Sequence, residues 1–359
     1  MLHPNCFQRS WLGAKQAELR AQDLATLERA VHAFALLHHL AESGLDFVFK
    51  GGTSLMLLLP DPRRLSVDID IHTDEARERF IQRLNGIGRT APFMGMRPDT
   101  RERDDPPQRS RYAFRYVSCV HPGEENGILL DVVEEACPLT SVHAVSATPA
   151  FLEEERPAQV LVPSIEALLG DKLTAVGLRT VGVPFKRGTR DMAGQIVKQL
   201  FDIRQLHAVA RDAPLVLQAY RQTMEAQIRF RGGRFDVRAC AQDAFALCEA
   251  GRSLASNASP READDAAWIQ RGQATFSGNL IGAHRYTNPE LQAALAVTAA
   301  LHTWASHTKA DRLAVPLRLA AEEMAILRAA TIDCPRPGDF RGLYPEANAY
   351  WAWVEKNLA

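Results

Sequence analysis

The stretch that most limits what this chain can fold into runs from Phe47 to Ile71 and reads FVFKGGTSLMLLLPDPRRLSVDIDI. Three apolar residues lead into Lys50 and the pair Gly51-Gly52. Thr53 and Ser54 then open an apolar segment that runs to Leu59. A Pro-Asp-Pro turn and two arginines deliver the chain to Asp68 and Asp70. Side chains of a strand alternate between faces, so carboxylates two residues apart project together. Asp68 and Asp70 are therefore expected on one side, with Val67, Ile69 and Ile71 on the core side. Two hard oxygen ligands on a strand suit Mg²⁺ (or Mn²⁺), which takes carboxylates together with substrate phosphates. The glycines allow a tight turn, and a helix after them would aim backbone N–H groups at a phosphate. Thr53 and Ser54 are placed to cap that helix or to touch the phosphate. Each feature alone has a plain explanation, since Gly-Gly often serves only as a turn and Asp-x-Asp is common on surface strands. Their combination within one window favours chemistry. The window holds neither GxGxxG nor GxxxxGK[ST], so the common dinucleotide and P-loop architectures are not indicated.

A second acid-bearing segment completes the argument. After the turn His121-Pro-Gly-Glu-Glu-Asn-Gly, the run GILLDVVEEA surrounds Asp131 with apolar residues. A carboxylate there is costly to bury without a partner, so Asp131 is the expected third metal ligand, brought beside Asp68 and Asp70 by strand pairing. Glu134, three residues on, falls on the other face.

The run KGGTSL…RRLSVDIDI resembles the first motif of the AbiEii/AbiGii toxin family of nucleotidyltransferases, within the polymerase-beta-like superfamily. By that resemblance Lys50, Gly51, Gly52, Thr53 and Ser54 fall on the nucleotide-binding turn, and Arg64, Ser66, Asp68 and Asp70 on the strand. EALLGDKLTA, from Glu166, is similar to the family's second block, in which a lysine reaches the nucleotide phosphates; that residue is Lys172. Arg179, two turns on, is a second expected phosphate contact. The family's Arg-Asp-aromatic-x-Asp-apolar pattern has its nearest counterpart at Lys198-Gln-Leu-Phe-Asp202-Ile, where Gln199 is a departure. Asp202 is the expected conserved acid, positioning Lys172 or accepting a proton, and Asp191 is the reserve. The resemblance covers roughly residues 25–210.

It implies an α+β fold: a nucleotidyltransferase-like mixed sheet with flanking helices, then a mostly helical C-terminal region. The expected division is a catalytic domain over 1–160, with an N-terminal helix, and a helical domain over 161–359 that carries the phosphate-binding lysine. At 359 residues, 46% apolar, the chain can bury a core for two moderate domains. A net charge of −1 argues against a polycationic nucleic-acid coater. The six cysteines show no CxxC or zinc spacing and read as reduced thiols. The start lacks the layout of a signal peptide and no apolar run reaches membrane-spanning length, so a cytoplasmic protein is expected.

Apolar spacing predicts helices over 14–42, 74–88, 164 onward, 205–230, 239–255, 260–278, 289–305 and 311–330, and a strand over 112–120. His38 and His39 read as packing or surface histidines. Six arginines and four acids between 97 and 115 could face phosphates or form a salt-bridged surface. The loops GVPFKRGTRD and RFRGGRFDVR are basic, and the Pro- and Gly-containing C-terminus reads as an irregular arm whose Tyr350, Trp351 and Trp353 dock on the core or a partner.

The expected activity is Mg²⁺-dependent transfer of a nucleoside monophosphate from a nucleoside triphosphate to an acceptor. By resemblance the acceptor is RNA, in some relatives the acceptor end of tRNA, and a cognate antitoxin is the expected partner, as in type IV-like toxin–antitoxin or abortive-infection systems. The rivals are a protein or small-molecule hydroxyl as acceptor, and a non-catalytic nucleotide-binding or regulatory protein.

Overall fold

The computed structural model describes residues 1–99, 109–252, 260–276, 279–282, 285–307, 316–317 and 345–358. The chain divides into two compact units, Met1–Ser164 with Gly278–His284, and Ile165–Ser277 with Arg285–Ala359.

The first unit is built on a mixed seven-stranded sheet. Its elements are α1 (Arg9–Leu19), α2 (Leu24–Glu42), β1 (Val48–Lys50), α3 (Gly51–Leu58), β2 (Ile69–His72), α4 (Arg77–Ile87), β3 (Gly95–Pro98), β4 (Arg109–Val117), β5 (Glu125–Val133), β6 (Val142–Ser146) and β7 (Gln159–Pro163). The strand order is β3-β4-β5-β2-β1-β7-β6. The β2/β5 and β1/β7 pairs are parallel and the others antiparallel. Buried residues alternate with half-buried ones along β4 and from Ile128 to Val133 of β5, as one core-packed face requires. Phe34 of α2 and Phe49, Ile69, Ile71, Phe114, Ile128 and Leu130 of the sheet meet in the core.

The single helix expected over 14–42 is two helices. Arg20 takes a left-handed conformation, and Asp23 accepts hydrogen bonds from the backbone of Ala25 and Thr26, starting a new helix. His38 bonds Thr148 and His39 bonds the Ala91 carbonyl, so both are buried packing residues. A short piece from far along the sequence closes this unit. Leu65 donates to the Asn279 carbonyl (2.7 Å) and Ile281 to the Arg63 carbonyl (3.1 Å), with Leu280 and Ile281 buried.

Among its described residues the second unit is helical apart from a two-stranded hairpin, β8 (Lys186–Arg187) and β9 (Arg190–Asp191). Its helices are α5 (Ile165–Leu173), α6 (Ala193–Val209), α7 (Ala213–Phe230), α8 (Val237–Arg252), α9 (Pro260–Thr275), α10 (Asn288–Ser306) and α11 (Pro345–Leu358). The helix expected over 205–230 is divided at Ala210–Asp212, where Asp212 caps α7 through the Leu215 N–H. Of the expected irregular arm, residues 335–344 lie outside the described residues and Pro345–Leu358 form α11, with Tyr350, Trp351 and Trp353 buried. Its apolar residues recur at helical spacing, which outweighs the Pro- and Gly-rich segment before it. The helix expected over 311–330 lies outside the described residues, apart from 316–317, as does Cys334. Among the described residues no helix is long and apolar enough to cross a membrane.

Candidate active site

The expected site window folds on itself. β1 ends at Lys50 and α3 starts at once with Gly51, whose φ is +84°. That conformation disfavours any residue with a Cβ. A second constraint acts at the same position, because a Cβ on Gly51 would overlap the Asp70 carboxylate. The first turn of α3 and Asp70 therefore touch, and the backbone alone leaves room for it. At Gly52 a Cβ would overlap the guanidinium of Arg64 and sit 3.1 Å from Ser66 Oγ. Both glycines of the motif are explained by side chains arriving from the strand segment.

The two hydroxyls do not make the expected helix cap: the N-cap of α3 is Lys50, with no side-chain cap bond. Thr53 Oγ1 donates to the Asp68 carbonyl (2.5 Å), and Ser54 Oγ to the Gly51 carbonyl (2.9 Å). Both are buried, so they brace the approach of helix to strand. Arg64 and Ser66 are buried as well, 4% and 3% exposed, with Arg64 Nη1 donating to the Leu65 carbonyl (3.1 Å). They shape the floor of the site beneath α3.

Asp68 and Asp70 are half-buried while Val67, Ile69 and Ile71 are buried, so the acids face one way as the period of two requires. Asp68 lies just ahead of β2, and Asp70 within it. Register then extends the arrangement. Lys50 pairs with Asp70, Asp70 with Asp131, and Asp131 with Arg111. Residues directly opposite on neighbouring strands share a face, so β1, β2, β5 and β4 carry one row of charges in the order plus, minus, minus, plus.

Arg111 is the residue that the sequence reading passed over within its arginine-rich stretch. Its Nε meets Asp131 Oδ1 at 2.5 Å and its Nη2 meets Oδ2 at 2.8 Å. This hydrogen-bonded fork, followed by the charges of Asp131, Asp68 and Asp99, raises the Arg111 pKa above its usual value. A signal for it was present. The antiparallel hairpin turns around His121, and counting back from that turn sets residue 111 opposite 131. Of the three expected carboxylates, Asp131 differs in its partner. Asp131 reaches the predicted row but its two oxygens are held by Arg111, and no group of three or more His, Cys, Asp or Glu able to hold a metal is assembled among the described residues. Two half-buried carboxylates beside a helix start still fit Mg²⁺, which binds through one or two carboxylates plus substrate phosphates. Glu134 lies outside β5, where it accepts from Arg77 (2.5 Å) and from Ser110.

In the second unit Lys172 is buried. Its ammonium, 5% exposed, lies 2.8 Å from Asp202 (1% exposed) and donates to Gln199 Oε1 at 3.2 Å. Asp202 and Gln199, the latter the departure from the family pattern, thus contact the same lysine. Asp191 accepts from the Ala193 N–H and from Trp268 Nε1, both at 2.8 Å, which fixes the start of α6. Arg179 is held by Asp265 (2.7 and 2.8 Å), has Asp243 3.8 Å away, and lies over the Phe185 ring. These partners tie helices of the second unit together.

Residues 35–313 match the family described as nucleotidyl transferase AbiEii toxin, type IV toxin–antitoxin system. The chain belongs to the AbiEii family. It is a nucleotidyltransferase, and the match continues past residue 210 into the helical region, beyond the segment covered by the sequence resemblance. No curated protein matches the chain. Among solved structures it is similar to MenT4, a nucleotidyltransferase toxin from Mycobacterium tuberculosis, at 17% identity, covering 81% of this chain and 99% of that one with a TM-score of 0.48. It is also similar to JHP933 from Helicobacter pylori, at 15% identity, covering 69% and 94% with a TM-score of 0.35. A third likeness is to an antigenic nucleotidyltransferase-like protein from Paracoccidioides brasiliensis, at 14% identity, covering 59% and 92% with a TM-score of 0.37.

Proposed function

We propose that this AbiEii nucleotidyltransferase moves a nucleoside monophosphate from a nucleoside triphosphate to an RNA hydroxyl, that it requires Mg²⁺, and that it works as the toxin of a toxin–antitoxin pair. The observation that carries the reading is the contact of Gly51 with Asp70: a helix start and a carboxylate meet where a side chain would keep them apart. A triphosphate bound there has backbone N–H groups of α3 on one side and carboxylates on the other. Asp68 and Asp70 are the residues that would hold the ion. When bound, Mg²⁺ neutralises phosphate charge and orients the triphosphate for in-line displacement.

The chain's own part is binding and orientation. Gly51 and Gly52 admit the phosphates close to the backbone, with Lys50 at the edge of the same row. Thr53, Arg64 and Ser66 hold that geometry from beneath. Transfer forms a bond from the acceptor oxygen to the α-phosphorus and breaks the bridge to the β-phosphate, releasing pyrophosphate. The family's description as a toxin of a type IV toxin–antitoxin system supports the toxin role, and RNA is the acceptor that the sequence resemblance implies.

The test is incubation of the full chain with Mg²⁺, each α-labelled nucleoside triphosphate in turn, and total RNA. Label entering RNA with the native chain but not with Asp70→Asn supports the reading. Label entering the protein or a small molecule moves the acceptor, and no label with any nucleotide overturns the proposal.

A further inference from the structure

We infer that two basic segments of the helical unit, the hairpin β8/β9 with the chain leading into it and the loop between α7 and α8, form one cationic surface that holds the phosphate backbone of the acceptor RNA. The inference rests on RNA being the acceptor and adds the surface that receives it.

Charge is spread unevenly along the chain. Its net charge is −1, yet residues 181–191 and 229–238 together hold seven arginines and lysines against two acids, Asp191 and Asp236. The fold joins these remote segments. Arg231, in the loop after α7, donates through Nη2 to the Val181 carbonyl (3.0 Å), at the root of the hairpin segment. Just ahead of that root, the Arg179 N–H and the Thr180 hydroxyl donate to Asp243 of α8 (2.7 and 3.0 Å). The root of the hairpin is therefore tied both to the loop that precedes α8 and to α8 itself. At its own base the hairpin is fixed as well. Phe185 packs edge-on against Trp268 of α9, with ring centroids 4.8 Å apart, and its carbonyl accepts from the Met192 N–H (3.0 Å). The two acids are engaged at helix starts, Asp191 with the Ala193 N–H and Asp236 with the Ala239 N–H (2.8 and 2.7 Å).

Beyond this framework lie the cations that carry the inference. Lys186 and Arg190 of the hairpin are exposed, as are Arg234 and Arg238 of the second segment, and among the described residues none of these four side chains is in an ion pair. The turns between them are open. Gly188, Gly232 and Gly233 take left-handed conformations (φ of +60°, +69° and +67°), and a Cβ on any of them would meet nothing within 4 Å. A sugar-phosphate strand can therefore pass close to the backbone at both turns. Like charges gathered on one surface repel, and a ligand with regularly repeated negative charge relieves that repulsion at several points together. Nucleic acid is such a ligand, and each phosphate neutralised by lysine or arginine also releases bound counterions. A surface already fixed by its framework loses little freedom on binding. Contacts with phosphates carry no base readout, so these are positioning residues that set where the RNA lies.

The experiment reads the salt dependence of RNA binding. A fluorescein-labelled stem–loop RNA with a single-stranded 3′ end is titrated with the full chain, without nucleotide, and its anisotropy is followed from roughly 50 to 400 mM KCl. Contacts from four cations give log K against log salt a slope of about −3 or steeper for the native chain. Replacing Lys186, Arg190, Arg234 and Arg238 together by Gln is expected to reduce the magnitude of that slope by about 3 and to weaken binding about a hundredfold at roughly 150 mM salt. The pairs Lys186→Gln with Arg190→Gln, and Arg234→Gln with Arg238→Gln, should each give about half of the change in slope. Arg79→Gln with Arg89→Gln, two exposed cations of the sheet unit, should leave both quantities near the native values. Native binding that is indifferent to salt would overturn the inference, whatever the variants do. Loop variants that bind like the native chain would overturn it and leave RNA as the acceptor. Failure of the native chain to bind the RNA would overturn it too, and entry of α-label into RNA would then keep the transfer reading separate. Binding of poly-L-glutamate through these loops, without binding of RNA, would overturn it in favour of an acidic protein partner.

Discussion

In the sheet unit, Arg111 and Asp131 keep 23% and 32% of their side-chain surface exposed, whereas Lys172 and Asp202 in the helical unit keep 5% and 1%. Both are short ion pairs drawn from adjacent elements, yet their physics differs. The open pair lies on a face shared with two further acids and exchanges partners at modest cost, because water can solvate either charge. The closed pair has no such escape, so each member depends on the other. One unit keeps charge where ligands can reach it. In the other, charge holds helices in place, as it also does where Arg179 meets Asp243 and Asp265.

The largest effect should come from opening the closed pair. Asp202→Ala leaves the Lys172 ammonium buried and unpaired, and urea denaturation should show a loss of about 3–5 kcal/mol. Replacing both members, Lys172→Met with Asp202→Leu, should recover most of that stability, because no charge is left stranded. A double variant as unstable as the single one would break the comparison. On the open face the large effect is on rate. Asp70→Asn should lower RNA labelling by about a thousandfold, about 4 kcal/mol of transition-state stabilisation, with the denaturation midpoint near that of the native chain.

Proton binding sharpens the contrast from a different side, because each unit buries a histidine. Burial pushes the pKa of His32 in α2 and of His302 in α10 down from 6.5 to about 4. The unfolded chain therefore binds protons on these rings between pH 6.5 and about 4 while the folded chain does not. Their stabilising contribution is full above pH 6.5 and declines as pH falls through that window, by up to about 3 kcal/mol per ring. Urea titrations at pH 7, 6 and 5 should show this fall, and His302→Gln should make it shallower.

Gly51→Ala is expected to cost about 1–2 kcal/mol from its left-handed backbone and to reduce labelling as well, since the new Cβ displaces Asp70. The smallest effect belongs to the open pair. Asp131→Asn should change stability by about 0–1 kcal/mol, and a loss as large as that of Asp202→Ala would erase the distinction drawn between the two pairs.

Much of the site could be read in the residues themselves. The shared face of Asp68 and Asp70 follows from strand alternation, and the Gly-Gly bend from what glycine alone permits. The meeting of Asp131 with Asp70 was anticipated from the apolar frame around Asp131. Less legible were the partners. Arg111 was one of six arginines in its stretch, and only the hairpin count singles it out. Lys172 and Asp202 were linked in advance only through the family resemblance, and the apolar spacing around each does not show that both are buried. The break at Arg20 was hidden within a continuous apolar stripe, and α11 was hidden behind prolines and glycines.

The amino-acid order by itself fixed which side chains could share a face, since that depends on local geometry with a period of two or 3.6 residues. It also fixed where only glycine would serve. Tertiary structure alone decided which charges would neutralise one another, because pairing depends on strand order and helix packing between residues remote in the chain. Asp131 against Arg111, Lys172 beneath Asp202, and residues 63–65 clasped by 279–281 are contacts of that kind.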